Sequence, residues 1–114
     1  MGTITTPAER HVHLDLDVDR ERHFHYRSQG HDGHRVILHR GDSVTFTCGD
    51  EFSIRFDDLS PFEDPVLHSR HCFLTAHVKS DALPREYEYT VEVEKGDDVI
   101  VDSDAGPEIV IEAT

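Results

Sequence analysis

The stretch EYEYTVEVE, residues 86–94, alternates strictly between apolar and polar side chains. Its apolar members would all lie on one face of an extended chain: Tyr87, Tyr89, Val91 and Val93. Successive side chains of a β-strand point to opposite faces, so a period of two predicts a strand that is buried on one side. We therefore predict one strand over these residues, with an acidic face in solvent.

The same period of two recurs along most of the chain. It is clearest in residues 11–19, 43–48, 51–56 and 71–79, and shorter apolar segments follow at 24–26, 36–38, 99–101 and 109–111. Turn-forming Gly-Asp, Ser-Pro and Asp-Pro pairs separate these segments, and none of them keeps a helical period. Eight or nine short strands joined by turns predict an all-β, single-domain Greek-key β-sandwich.

Three local predictions accompany this pattern. The continuous apolar run at 36–38 predicts a short buried strand. Residues 57–70, which include two prolines, are predicted to form the longest loop. Cys48 and Cys72 each fall on the inward-facing side of their predicted strand, and we expect free, buried thiols rather than a disulfide.

Length and charge limit the possible functions. The 114 residues suffice for one domain, which we place at residues 11–114 behind a flexible N-terminal tail at residues 1–10. Residues 81–114 carry eleven acids and two bases, and the formal net charge is −13. No Lys/Arg cluster is present for nucleic-acid binding, and no apolar stretch approaches the ~20 residues of a membrane helix. The absence of an apolar segment near Met1 predicts a cytoplasmic protein.

Three segments together resemble the cupredoxin family. Residues 41–47, GDSVTFT, resemble its Gly-Asp-x-Val-x-Phe strand, and residues 52–56, FSIRF, resemble the strand that begins with a copper-binding histidine. Residues 87–91, YEYTV, resemble the strand that ends in the copper-binding cysteine. The resemblance covers about residues 36–112 and implies a β-sandwich of the plastocyanin and azurin type.

The copper ligands implied by this resemblance are missing. Phe52 occupies the histidine position and Val91 the cysteine position, and Met1 is the only methionine. A blue-copper centre needs two imidazoles and a thiolate, so the fold carries over without its electron-transfer chemistry. We expect no cofactor.

No catalytic motif appears, so we predict a non-enzymatic module rather than an enzyme. We expect this binding or adaptor module to meet a protein partner through a strand edge, the loop at 57–70 or the acidic face of residues 86–94. The alternative is transition-metal binding or delivery by a patch of histidines, since ten are present and two pairs share strand faces. The residues of that patch would be His11, His13, His23 and His25.

Overall fold

A computed structural model describes residues 10–29, 31–102 and 106–112. These residues form twelve β-strands, more than the eight or nine predicted, and no helix, which confirms the all-β prediction. The strands are β1 (His11–Val18), β2 (Phe24–Ser28), β3 (His31–Asp32), β4 (Arg35–His39), β5 (Ser43–Thr47), β6 (Phe52–Arg55), β7 (Val66–His68), β8 (Phe73–His77), β9 (Glu86–Glu88), β10 (Thr90–Lys95), β11 (Asp98–Val101) and β12 (Glu108–Glu112).

The strands are arranged in three sheets. Five strands follow the order β3-β2-β1-β5-β8, four follow β11-β10-β6-β7, and three follow β4-β12-β9. The β1–β5 and β12–β4 pairs are parallel, and the other pairs are antiparallel. The inward faces of these sheets enclose one hydrophobic core in a sandwich-like arrangement.

The period of two explains which side chains form that core. In β1 the burial alternates without exception, and its four apolar residues are buried: Val12, Leu14, Leu16 and Val18. Burial of each such side chain removes apolar area from water and stabilises the fold by about 1.5–3 kcal/mol. The outward residues of the same strand are histidine and aspartate.

The prediction of one strand over residues 86–94 is wrong at Tyr89. There the chain passes from β9, which pairs with β12, to β10, which pairs with β6 and β11. The Tyr89 N–H donates to the Pro107 carbonyl at 3.0 Å, and its ring stays buried. The side chains therefore keep alternating between the buried and exposed faces, although the backbone changes its hydrogen-bonding partners. A sequence pattern does not reveal such a change of partners.

Three other local predictions need correction. Residues 36–38 are not a wholly buried strand, because Val36 and Leu38 face the core whereas Ile37 lies on the opposite face and is 45% exposed. The predicted loop at 57–70 contains β7, which pairs with β6. The strand predicted at 71–79 begins only at Phe73, since His71 and Cys72 form a turn with positive φ angles.

Of the predicted N-terminal tail, residues 1–9 lie outside the described part of the chain. Arg10 is joined to the fold: its N–H donates to the Asp42 carboxylate at 3.0 Å, and its guanidinium donates to the Ile37 carbonyl at 2.9 Å. The buried Asp42 carboxylate also accepts the His39 N–H at 2.8 Å, so it organises the turn before β5.

Candidate protein-binding surface

β11 forms one edge of the four-stranded sheet and carries exposed apolar side chains. Ile100 points into the core, whereas Val99 is 58% exposed and Val101 is 43% exposed. Both valines lie on the outer face of the sheet, opposite Glu94 and Glu92 of β10. An exposed apolar edge strand is a template for pairing with another chain, and proteins ordinarily protect such edges.

The backbone of β11 is open at the same two residues. The Glu94 N–H donates to the Glu51 carbonyl at 2.9 Å, away from β11, and the Asp102 N–H donates to the Val91 carbonyl at 3.0 Å. Hydrogen-bonded and non-hydrogen-bonded pairs alternate along an antiparallel ladder. The N–H and C=O groups of Val99 and Val101 therefore point away from β10, where no other described strand pairs with them.

A contact lies at each end of β11: an exposed pair at Asp98, and at Asp102 a hydrogen bond from the buried Tyr26. The Arg22 guanidinium donates to the Asp98 carboxylate at 3.4 Å, and the Tyr26 hydroxyl donates to the carboxylate of Asp102. Burial, and after it the Asp102 carboxylate, raises the pKa of Tyr26, so this hydroxyl keeps its proton. One end of the edge strand is thus held in position before any partner arrives.

The outer face beside β11 is acidic. A shallow depression there is lined by Val99, Glu92 and Glu94, together with Ser53 and His68 of the neighbouring strands. Glu92 pairs with Arg55 at 3.0 Å, whereas Glu94 forms no ion pair with the described residues. A cationic side chain passing over the valine would meet an uncompensated carboxylate.

The other sheet edges are shorter or partly occupied. β3, β7 and β9 have two or three residues each, which limits pairing. On β4 the Ile37 carbonyl accepts from Arg10, and on β8 the Phe73 carbonyl accepts the Arg70 N–H at 2.8 Å. The exposed face of β8 carries one large apolar residue, Phe73.

The four histidines of the predicted metal patch lie at two places. His25 lies opposite Asp17, four residues beyond His13 on β1, which corresponds to about 13 Å along the strand. His23 precedes β2. The structure therefore brings His11 near His13, and His23 near His25, but does not bring the two pairs together.

Their ring nitrogens have other partners. His11 lies within hydrogen-bond distance of the Ser43 and Thr45 hydroxyls, at 2.6 and 2.8 Å, and His25 lies 2.9 Å from the Asp19 carboxylate. Among the residues that the structure describes, no group of three or more His, Cys, Asp or Glu side chains could hold a metal ion.

The two positions that resemble copper-ligand positions lie inside the core. Phe52 is opposite Val93, and Val91 is opposite Ile54, in adjacent strands of one sheet. All four side chains are buried. Neither a phenyl ring nor an isopropyl group offers a lone pair to a metal, so these positions serve packing.

Sequence reasoning named a strand edge and the acidic face of residues 86–94, but it did not single out β11. The run Val99-Ile100-Val101 has no alternation, so periodicity could not show which residues face solvent. The contact between Tyr26 and Asp102 joins residues far apart in the chain and left no local signal.

No protein-family model matches the chain, and no curated protein shows significant similarity to it. Within the described residues there is no helix long and apolar enough to cross a membrane.

Proposed function

We propose that this chain is a non-enzymatic, copper-free binding module of cupredoxin-like, Greek-key architecture, which binds a protein by adding an extended segment of the partner to β11. The observation that carries this proposal is the open edge at Val99 and Val101. There, exposed side chains and outward-facing backbone groups belong to the same residues.

Strand addition uses both of these features. Backbone hydrogen bonds to the outward N–H and C=O groups supply affinity that does not depend on the partner's sequence. Alternate side chains of the added strand would lie beside Val99 and Val101, and burial of those valines would favour apolar residues. The bond from Tyr26 to Asp102 reduces the ordering cost because it holds one end of β11, whereas the exposed pair at Asp98 adds little.

Charge selects the kind of partner. Eleven acids and two bases in residues 81–114 give this third of the chain a negative field, and Glu94 lies next to the open edge. We infer that the occupant is an extended segment in which apolar residues are combined with Lys or Arg. Such pairing accelerates association and weakens as salt screens the charges.

The cupredoxin-like part of the proposal is supported by how the resembling segments are used. Gly41, with φ of 86°, and Asp42 form the turn that leads into β5, and Phe52 begins β6. Because Phe52 and Val91 contribute only packing, this module would act through its surface.

A defined peptide tests the proposal. The probe is a synthetic peptide of alternating valine and lysine with both ends blocked, titrated into the full chain while backbone amide resonances are followed. We expect the largest changes at Val99 and Val101, with at least about tenfold slower hydrogen exchange of those amides on binding. A valine–glutamate peptide should bind far more weakly, and salt should weaken the valine–lysine complex.

Two matched variants separate backbone pairing from side-chain contact. Val99→Pro removes an outward N–H but no hydrogen bond to β10, whereas Val99→Ala keeps that N–H and removes most of the side chain. We expect about tenfold or greater loss of affinity for Val99→Pro and a smaller loss for Val99→Ala. Equal binding by Val99→Pro and the unchanged chain, or resonance changes confined to β8, would refute the proposal.

A further inference from the structure

Cys48 and Cys72 lie next to each other just beyond the ends of two paired strands. β5 ends at Thr47 and β8 begins at Phe73, and these two residues are direct partners in the antiparallel ladder. Beyond this last pair, the Cys48 N–H donates to the Cys72 carbonyl at 3.2 Å, while the Cys72 N–H bonds to the Glu51 carboxylate. Both cysteines are free and partly buried.

The first requirement of a disulfide is a short distance between its two residues. The backbone hydrogen bond from Cys48 to Cys72 keeps the two Cα atoms close together, and a disulfide needs a Cα separation of about 4.4–6.8 Å. Burial is the main cause of the raised pKa of Cys72, the Glu51 and Asp50 carboxylates follow, and the Cys48 thiol contributes less. We propose that Cys48 and Cys72 are an oxidisable pair that forms a reversible intramolecular disulfide.

The backbone around Cys72 is already held in an unusual conformation. His71 and Cys72 have φ angles of 56° and 62°, a region that residues other than glycine enter at a cost. The turn is closed by the hydrogen bond from the Arg70 N–H to the Phe73 carbonyl. Two successive positive φ values outside glycine mark a turn that its surroundings impose.

Glu51 contributes to holding this turn. Its carboxylate accepts the Cys72 N–H and the Ser69 hydroxyl, the latter at 2.8 Å. These bonds, the Cys72 N–H first, lower the pKa of Glu51, so the carboxylate stays ionised and keeps its hold on the turn. The backbone of Cys72 is therefore held next to Cys48 before any oxidant acts.

The oxidant we name is a small-molecule disulfide such as oxidised glutathione. The thiolate of one cysteine attacks it, an S–S bond to glutathione forms, and one glutathione thiol leaves. The second cysteine then displaces the other glutathione. The chain loses two thiol hydrogens in total, and the oxidant is reduced to two thiols.

The thiol environments predict slow exchange. Desolvation is the main cause of the raised pKa of Cys48 and also of Cys72, where the Glu51 charge adds to it. Only thiolates attack disulfides, so little of either group is reactive at neutral pH. The rate should rise as the pH increases from 7 toward 9.

The test uses the reduced full chain, equilibrated without oxygen in buffers of reduced and oxidised glutathione, followed by alkylation and mass spectrometry. We expect a monomer lighter by two hydrogens, with the peptides containing Cys48 and Cys72 linked, and full reversal by dithiothreitol. The thermal midpoint of the oxidised form should rise on the order of 10 °C, because the bond restricts the unfolded chain.

The single variants Cys48→Ser and Cys72→Ser serve as matched controls, because a hydroxyl is close to a thiol in size. Each should take up one glutathione and show no internal link. Two glutathione adducts on the unchanged chain, or disulfides only between chains, would overturn the proposal. The mass measurement on the unchanged chain decides this even if a variant fails to fold.

Discussion

The hydroxyl of Tyr26 donates a hydrogen bond to the carboxylate of Asp102, and this bond joins β2 of the five-stranded sheet to the residue that follows β11. Tyr26 is buried, with its ring 6.4 Å from Phe24 and 5.6 Å from His34. A charged acceptor in such a setting makes a stronger bond than a neutral one. The position of the open edge therefore depends on a contact between two sheets.

Replacement of Tyr26 by phenylalanine tests that dependence. We expect Tyr26→Phe to lower the free energy of unfolding by about 1.5–3 kcal/mol, because the Asp102 carboxylate loses a buried donor. Hydrogen exchange at Ile100, which bonds toward β10, should accelerate more than exchange in β1 or β5. Urea unfolding and amide exchange measure the two effects.

Tyr87→Phe is the matched control, since it also removes a tyrosine hydroxyl, one that donates to the Leu83 carbonyl at 2.7 Å. It should lower stability without a selective effect on β11. If both variants change exchange in β11 equally, the Tyr26–Asp102 bond does not hold that strand.

A second prediction concerns the position that resembles a copper-binding histidine. We expect Phe52→His to lower the free energy of unfolding by about 3 kcal/mol, since an imidazole would be buried against Val93 without a partner. Phe52→Leu keeps an apolar side chain and should cost about 1 kcal/mol. Urea unfolding of both variants measures the difference; equal losses would show that polarity at this position is unimportant.

A third prediction concerns the close approach of two backbone segments at Gly33. A Cβ atom there would lie 2.9 Å from the Arg27 carbonyl carbon and 3.0 Å from the Ser28 nitrogen. The Gly33 N–H also donates to the Tyr26 carbonyl at 2.8 Å, so the segment cannot move away freely. We expect Gly33→Ala to lower the thermal midpoint and to cost about 1–3 kcal/mol.

Gly49→Ala is the control for that substitution, because a Cβ at Gly49 would meet nothing within 4 Å. Its stability should stay within about 1 kcal/mol of the unchanged chain, with a gain expected from the reduced entropy of the unfolded state. A larger loss at Gly49 than at Gly33 would contradict the packing at these two turns.

A fourth prediction concerns the pH dependence of Asp19. Its carboxylate lies 2.9 Å from a ring nitrogen of His25 and accepts the His23 N–H at 2.9 Å, and these contacts lower its pKa from 3.8 to about 2. A lowered carboxyl pKa contributes stability above pH 3.8 that is lost as the pH falls toward 2.

Carbon-13 resonances of the side-chain carboxyls measure this shift directly. Asp19 should remain largely ionised at about pH 3, where an unperturbed aspartate is mostly protonated. His25→Ala should return its midpoint toward 3.8, and His77→Ala, on a different strand, should leave it unchanged. An ordinary midpoint for Asp19 in the unchanged chain would be inconsistent with the contacts described.

The sequence predicted the buried faces of β1, β5, β6 and β10 because apolar residues recur at every second position within each of these strands. It failed where tertiary pairing overrides that pattern. The break at Tyr89 occurs because the chain changes sheets, and Ile37 is exposed because only one face of β4 packs on the core. The turn at His71 and Cys72 contains no glycine, so the sequence did not predict its positive φ angles.

The sequence predicted the chemical character of the candidate site but not its location. Composition predicted an acidic surface, and the residue types at Phe52 and Val91 argued against a blue-copper centre. The histidine patch depended on strand register, which sequence did not supply, and the observed register separates His13 from His25 along β1.

The amino-acid sequence alone determined the class of fold, because the alternation of apolar and polar residues is visible within each short stretch of the chain. Only the tertiary structure decided that β11 is an edge, that Tyr26 bonds to Asp102, and that the backbone of Cys48 bonds to Cys72. Each of these relationships joins residues that are distant in the chain. Which distant residues meet depends on how the sheets pack their inward faces around the core.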